Sequence, residues 1–163
     1  MASLTSSELI VALVRHARDD KSLKMIRVGE LFQAVGRTKL SVTDDDVAVL
    51  CTYASLTIGY DYSGCHLLTN ASLSSMSRTK NIRVLSFENC HLIDNNGVRY
   101  LEEIAEKLEA LNFSGVVNLT DEGLAPLFRK CQRRTSVNVS HCSLGTHEVL
   151  QLRAVNHRRP GML

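Results

Sequence analysis

The chain has 163 residues, of which 44% are hydrophobic, 22% charged and 5% aromatic. That length suits one domain able to fold without a disulfide or a metal, and the balance excludes disordered and fibrous classes. No apolar run approaches the roughly 18 residues of a membrane-spanning helix, and a formal net charge of +2 excludes a broad nucleic-acid-coating polycation.

At the N-terminus, Thr5-Ser6-Ser7-Glu8 has the spacing of a capping box, and Leu9, Ile10, Ala12, Leu13 and Val14 carry a helix to about Arg18. A second helix is expected over Leu23 to Val35, through Met25, Ile26, Val28, Leu31 and Phe32. Residues 1–35 therefore read as an N-terminal helical cap. Residues 1–18 hold no long apolar run and no small-residue cleavage site. Five cysteines, an odd number without a CxxC pair, suit a reducing compartment. An intracellular location is expected, cytoplasmic first, with mitochondrial and axonemal sites as rivals. Glu8, Asp19 and Asp20 weigh against a mitochondrial transit peptide. The sequons at Asn70, Asn112, Asn118 and Asn138 then read as by-products of an Asn- and Ser-rich surface.

From Lys39 onward the chain repeats itself. RVLSFENCHLIDNNGVRYL from Arg83, EALNFSGVVNLTDEGLAPL from Glu109 and TSVNVSHCSLGTHEVLQL from Thr135 align without gaps at a spacing of 26. GYDYSGCHLLTNASLSSM from Gly59 fits one residue shorter, and a weaker copy begins near Lys39 as KLSVTDDDVAVL. The first half of each copy alternates, with Tyr60/Tyr62, Leu85/Phe87, Leu111/Phe113 and Val137/Val139 apolar at i and i+2. That is a short strand with one buried face. The second half is helical. Thr43, Thr69, Asp94, Thr120 and Thr146 fall in one phase as N-caps. Val47, Leu73, Val98, Leu124 and Leu150 follow four residues later, and Leu50, Met76, Leu101 and Leu127 seven later. In the last copy Arg153 breaks this pattern. A lone strand-turn-helix unit cannot bury its apolar face. Stacked copies can, by pairing strands in parallel and aligning helices behind them. The expected product is an α/β solenoid with parallel strands on the concave face and helices on the convex face.

LSFENCHLIDNNGVRYL, LNFSGVVNLTDEGLAPL and VNVSHCSLGTHEVLQL resemble leucine-rich repeats of the cysteine-containing subtype. That subtype is found in F-box/leucine-rich-repeat proteins and in small relatives such as the ATP synthase coupling subunit s. NLTDEGLAPL, Asn118 to Leu127, is the nearest match. The resemblance covers about residues 39–155 and implies about five leucine-rich repeats over residues 36–155, with a basic C-terminal tail at 156–163. Residues 1–35 lack the early Leu-Pro and the later Trp of an F-box.

Cys65, Cys90 and Cys142 share one column, with Val116 in the remaining copy. They read as a stack of small buried hydrophobes. His66, His91 and His141 lie beside them, but zinc sites need two ligand pairs at short spacing, so no metal is expected. No GxSxG, P-loop, HExxH or GxGxxG motif occurs. Cys131 and the histidines would make a nucleophile pair only by chance in space, so neither an enzyme nor a cofactor is expected. Asp44-Asp45-Asp46 reads as the acidic first turn of a helix.

Two surfaces remain. The concave face presents Asp61, Ser63, Ser86, Glu88, Asn112, Ser114, Asn138 and Ser140, a partner-binding surface or simply a solvated sheet face. Arg129, Lys130, Arg133, Arg134, Arg153, Arg158 and Arg159 form a basic edge suited to an acidic protein surface, an RNA backbone or anionic lipid. The expected function is a non-enzymatic protein-protein interaction scaffold, an accessory subunit of a larger intracellular assembly. The resemblance implies two rivals. One is a substrate-recognition or regulatory component of a ubiquitin ligase. The other is a small mitochondrial subunit or assembly factor of ATP synthase or complex I.

Overall fold

The structure, a computed structural model, describes residues 11, 25–34, 36, 38–54, 57–131 and 135–145. The first expected helix lies outside these residues except for Val11, which is helical. The cap at Thr146, the helix after it and the basic tail also lie outside them.

The described chain is α/β. Five three-residue strands are β1 (Met25–Arg27), β2 (Gly59–Asp61), β3 (Val84–Ser86), β4 (Ala110–Asn112) and β5 (Ser136–Asn138). They form one all-parallel sheet in the order β1-β2-β3-β4-β5. Between them run α1 (Val28–Ala34), α2 (Asp44–Tyr53), α3 (Asn70–Ser77), α4 (Asn95–Tyr100) and α5 (Asp121–Lys130). No helix among the described residues is long and apolar enough to cross a membrane.

None of these elements would persist alone, since short strands and helices of six to ten residues sit below the length at which isolated elements hold in water. Their columns of apolar residues hold them. Ile26, Tyr60, Leu85, Leu111 and Val137 are successive register partners across the sheet, and all are buried. One step on, Tyr62, Phe87 and Phe113 stack ring on ring, with centroids 5.4 and 6.0 Å apart. Val47, Leu73, Val98 and Leu124 line the helix layer, as do Leu50, Met76, Leu101 and Leu127, all fully buried. Each such side chain stabilises the fold by about 1.5–3 kcal/mol relative to exposure. Ahead of each cap, Val42, Leu68, Ile93 and Leu119 close the core under the loops.

The sequence expectation fails at the N-terminal end. The helix expected over residues 23–35 begins only at Val28, because Met25–Arg27 is a strand with Ile26 inward. Near Lys39, where the weak copy begins, there is a 3-10 turn, Lys39–Ser41, and no strand. The strand belonging to that unit is β1. From Ile26 to the Thr43 cap is 17 residues, against 9 from Tyr60 to Thr69, Leu85 to Asp94 and Leu111 to Thr120. The extra length accommodates α1 and hides the repeat. The sheet therefore starts inside the segment read as a purely helical cap.

Candidate functional site

All eight polar positions expected on the sheet face are described and local bonds tie them into rows, but Ser86, expected to face outward, is buried beneath that surface. Asp61, Ser86, Asn112 and Asn138 are the last residues of four neighbouring strands and register partners of one another. The chain turns immediately after each. The Asp61 carboxylate accepts from the Ser63 N–H at 3.0 Å and from its hydroxyl at 2.5 Å. Asn112 Oδ1 accepts from the Ser114 N–H at 3.0 Å, and Asn138 Oδ1 from the Ser140 N–H at 3.1 Å. These are Asx turns, the reason Asp and Asn end the strands. Cross-links join neighbours: Ser63 to Ser86 between hydroxyls at 2.8 Å, and Asn112 Nδ2 to Glu88 Oε2 at 3.0 Å.

The turn also demands a left-handed backbone shortly after each strand. Gly64, Asn89, Gly115 and His141 occupy that column, with φ of 76, 60, 74 and 62°. Glycine and asparagine bear this at low cost. It puts His141 one residue before Cys142, whereas His66 and His91 follow Cys65 and Cys90. The His66 and His91 rings stack in parallel at 5.5 Å, with Nδ1 atoms 2.9 and 3.0 Å from the Asn89 and Gly115 carbonyl oxygens. His141 shares no such contact, so the three histidines are not one cluster. Among the described residues no group of three or more His, Cys, Asp or Glu could hold a metal ion.

The cysteine column lies in the core at Cys65, Cys90 and Val116, while Cys142 is partly buried. The Cys90 thiol donates to the Tyr62 carbonyl at 3.4 Å and Cys142 to the Phe113 carbonyl at 3.1 Å. Burial pushes Cys65 and Cys90 up to about 12, and Cys51 and Cys131 up to about 11. A nucleophilic cysteine needs the opposite shift.

Of the basic edge, Arg129 and Lys130 are described, at the end of α5, both exposed. Lys130 pairs with Glu102 at 2.7 Å. Arg133, Arg134, Arg153, Arg158 and Arg159 lie outside the described residues.

The residue after each N-cap carries a second polar column, unread in the sequence. Asn70 Oδ1 accepts from the Asp94 N–H at 3.1 Å, and its Nδ2 donates to the Asp94 carboxylate at 2.9 Å. Asn95 treats Thr120 in the same way, and Asp44 accepts from the Thr69 N–H and hydroxyl at 3.0 and 2.6 Å. Asp121 accepts from the Gly145 N–H at 2.7 Å. The Asn70 amide, with two backbone N–H groups, holds the Asp94 carboxyl below its ordinary range. Thr43, Thr69, Asp94 and Thr120 all stand at N-caps: Thr69 and Asp94 accept the N–H two residues on, at 3.2 and 2.7 Å, and Thr43 forms a capping box with Asp46, whose carboxylate accepts the Thr43 N–H at 2.9 Å. Thr120 gives its oxygen to Asn95 instead. The signal was present as Asp or Asn at all four positions after the cap. It also accounts for Asn70 among the sequons, just as the Asx turns account for Asn112 and Asn138, and Asn118 donates to the His91 carbonyl at 2.7 Å.

A cleft of about 500 Å³ opens beside Asp61 and Ser63, where Arg27, Glu30, Gln33 and Lys39 join them. Arg27 is the register partner of Asp61, and Lys39 lies over Gly64, whose Cβ position is 2.8 Å from its ammonium. These residues extend the polar sheet face by one strand, and only recognition of β1 could have found them. No protein-family model matches the chain, and no curated protein matches it.

Proposed function

We propose that the chain is a leucine-rich-repeat protein of the cysteine-containing subtype, a five-unit solenoid with strands on the concave face and helices on the convex face. In this reading it is a non-enzymatic scaffold, an accessory subunit of an intracellular assembly, and its partner docks on the polar sheet face. The observation that carries the reading is the row Asp61, Ser86, Asn112 and Asn138. It runs across four strands, and each member is bonded to a neighbour before any partner arrives. Side chains ordered in advance lose little rotamer freedom on association, so a polar surface without large anchors can still bind. The upward-shifted thiols favour a contact surface over a thiol-based reaction centre.

The test is affinity capture of the intact chain from its own cells, with mass spectrometry of the native complex, beside a Glu88→Arg/Ser140→Arg variant. A stoichiometric assembly that forms with the natural chain and is lost in a variant of unchanged melting temperature supports the proposal. An assembly retained in that variant removes the sheet face as the docking surface. Co-elution with a cullin adaptor, or with subunits of ATP synthase or complex I, would instead move the assignment to the ubiquitin or mitochondrial reading.

A further inference from the structure

A second cleft, of about 440 Å³, lies between α2 and α3 on the side away from the strands' polar ends. Arg78, Lys80 and Asn81, all exposed, line it together with Ser75, Cys51 and the buried Thr79. Among the described residues no carboxylate lines it, and neither Arg78 nor Lys80 has an ion-pair partner.

A helix C-terminus attracts cations for its own sake, so that explanation has to be weighed first. The positions equivalent to Arg78 in the next two units are Glu103, of the wrong sign for that role, and Arg129, of the right one. The positions equivalent to Lys80 are Ala105 and Cys131, both buried. Ser75 stands where the other units carry Val49, Tyr100 and Pro126, and its small side chain leaves the cleft open. Arg129 repeats Arg78, but among the described units Lys80 and the space left by Ser75 occur at this one junction.

The donors can be counted. The Thr52 hydroxyl already donates to the Ala48 carbonyl at 2.9 Å. The Thr79 side chain is engaged with the Cys51 thiol. Asn81, which also lines the cleft, has a partner of its own, and that leaves the Ser75 hydroxyl, the Arg78 fork and the Lys80 ammonium. The two helix ends contribute about half a negative charge each, which offsets roughly one of the two cations. Burial keeps Cys51 protonated at neutral pH, so its thiol adds no repulsion. The net field in the cleft favours an anion, and a guanidinium beside an ammonium matches the oxygens of a phosphoryl group. The volume falls within the range of small-molecule sites.

We propose that the cleft between α2 and α3 binds a small phosphate-bearing molecule, a phosphomonoester held by Arg78, Lys80 and Ser75. The site is independent of the sheet-face docking surface, so either can fail without the other.

The experiment is NMR titration of the full chain, at constant ionic strength, with inorganic phosphate, glycerol 3-phosphate and sodium chloride, and with phosphatidic-acid vesicles as a separate arm. The expected result is saturable shifts at residues 75–81 with both phosphates and none with chloride. Affinity should fall by at least about tenfold in Arg78→Gln/Lys80→Gln, the loss of two charge-assisted contacts. It should be unchanged in Lys130→Gln, a cation outside the cleft. Ser75→Tyr, which brings the residue of the equivalent position Tyr100 to the cleft, should abolish binding with both cations intact. Arg78 and Lys80 are exposed, so the double variant keeps its fold. Equal shifts with chloride, undiminished affinity in the double variant, or binding to vesicles alone would each overturn the proposal.

Discussion

Asn95 holds Thr120 at two points: its Oδ1 accepts from the Thr120 backbone N–H at 3.0 Å, and its Nδ2 donates to the Thr120 hydroxyl at 2.8 Å. One side chain therefore fixes the residue that starts the next helix. The bond runs between units 25 residues apart in sequence, so it is a tertiary contact that acts as a local cap. The half-buried amide has both of its polar atoms committed.

Asn95→Ala should lower stability by about 2 kcal/mol, because the Thr120 N–H and hydroxyl both lose their partner. Asn95→Asp should recover much of that loss, since a carboxylate can accept from both groups, as Asp44 does from Thr69. Urea unfolding of the three proteins checks the order. Equal loss in both variants would mean that the amide's donation to the Thr120 oxygen, which a carboxylate cannot make, carries the effect.

The aromatic stack makes a prediction of opposite sign at two neighbours. Phe87 is fully buried between Tyr62 and Phe113. Phe87→Ala should cost about 3–5 kcal/mol through the cavity it leaves. The Tyr62 hydroxyl is buried with no hydrogen-bond partner among the described residues. Tyr62→Phe, which copies the residue found in the next two units, should leave stability unchanged or raise it by about 1 kcal/mol. Thermal and urea unfolding will show the two signs, and a large loss in Tyr62→Phe would reveal a partner for that hydroxyl.

Alkali should unfold the protein earlier than its surface charges require. Burial raises the Cys65 and Cys90 thiols from an ordinary 9.0 to about 12. In the unfolded chain these thiols ionise near 9, while in the fold they stay protonated. Their contribution is therefore whole below pH 9 and is lost as pH rises from about 9 toward 12, where the unfolded state binds fewer protons. Urea midpoints measured across that window should fall with pH. Cys90→Val, which copies Val116 in the same column, should fold normally and flatten the decline. An unaltered decline would assign the effect to other groups.

Gly115 tests the turn. It sits at φ +74°, and a Cβ there would meet the Asn89 side-chain oxygen at 2.1 Å. Gly115→Ala should cost about 1–3 kcal/mol from left-handed strain together with that contact. In an Asn89→Gly background the contact is gone and only the backbone strain remains, so the cost should shrink. A double-mutant cycle by urea unfolding measures the difference, and additive losses would place the whole cost in the backbone.

Periodicity made the sheet legible wherever the units were of equal length. Leu85, Leu111 and Val137 are spaced by 26 and lie in adjacent parallel strands, because a period of that length returns each strand to the same register. The same logic failed at Ile26. The segment containing α1 lengthens the first unit, and Met25, Ile26, Val28, Leu31 and Phe32 also fit a helical spacing, so a strand and a helix were folded into one expected helix. Asp61, Ser86, Asn112 and Asn138 do lie side by side across the strands, though Ser86 is buried. What was hidden is that Asp61, Asn112 and Asn138 are already bonded to the serines two residues on.

The order of apolar and polar residues along this chain was by itself enough to determine the α/β class, the parallel pairing of the last four strands, the burial of Cys65 and Cys90 and the N-caps at Thr43, Thr69, Asp94 and Thr120. All of these depend on spacing within one unit and on its repetition. Only the tertiary structure decided where the sheet begins, that Asn70 and Asn95 cap the helices of their neighbours, and that Arg78, Lys80 and Ser75 face one cleft. Those outcomes depend on which side chains of different units meet across a junction. A hydrogen bond or a shared field acts over a few ångströms of space, and a distance along the sequence does not record it.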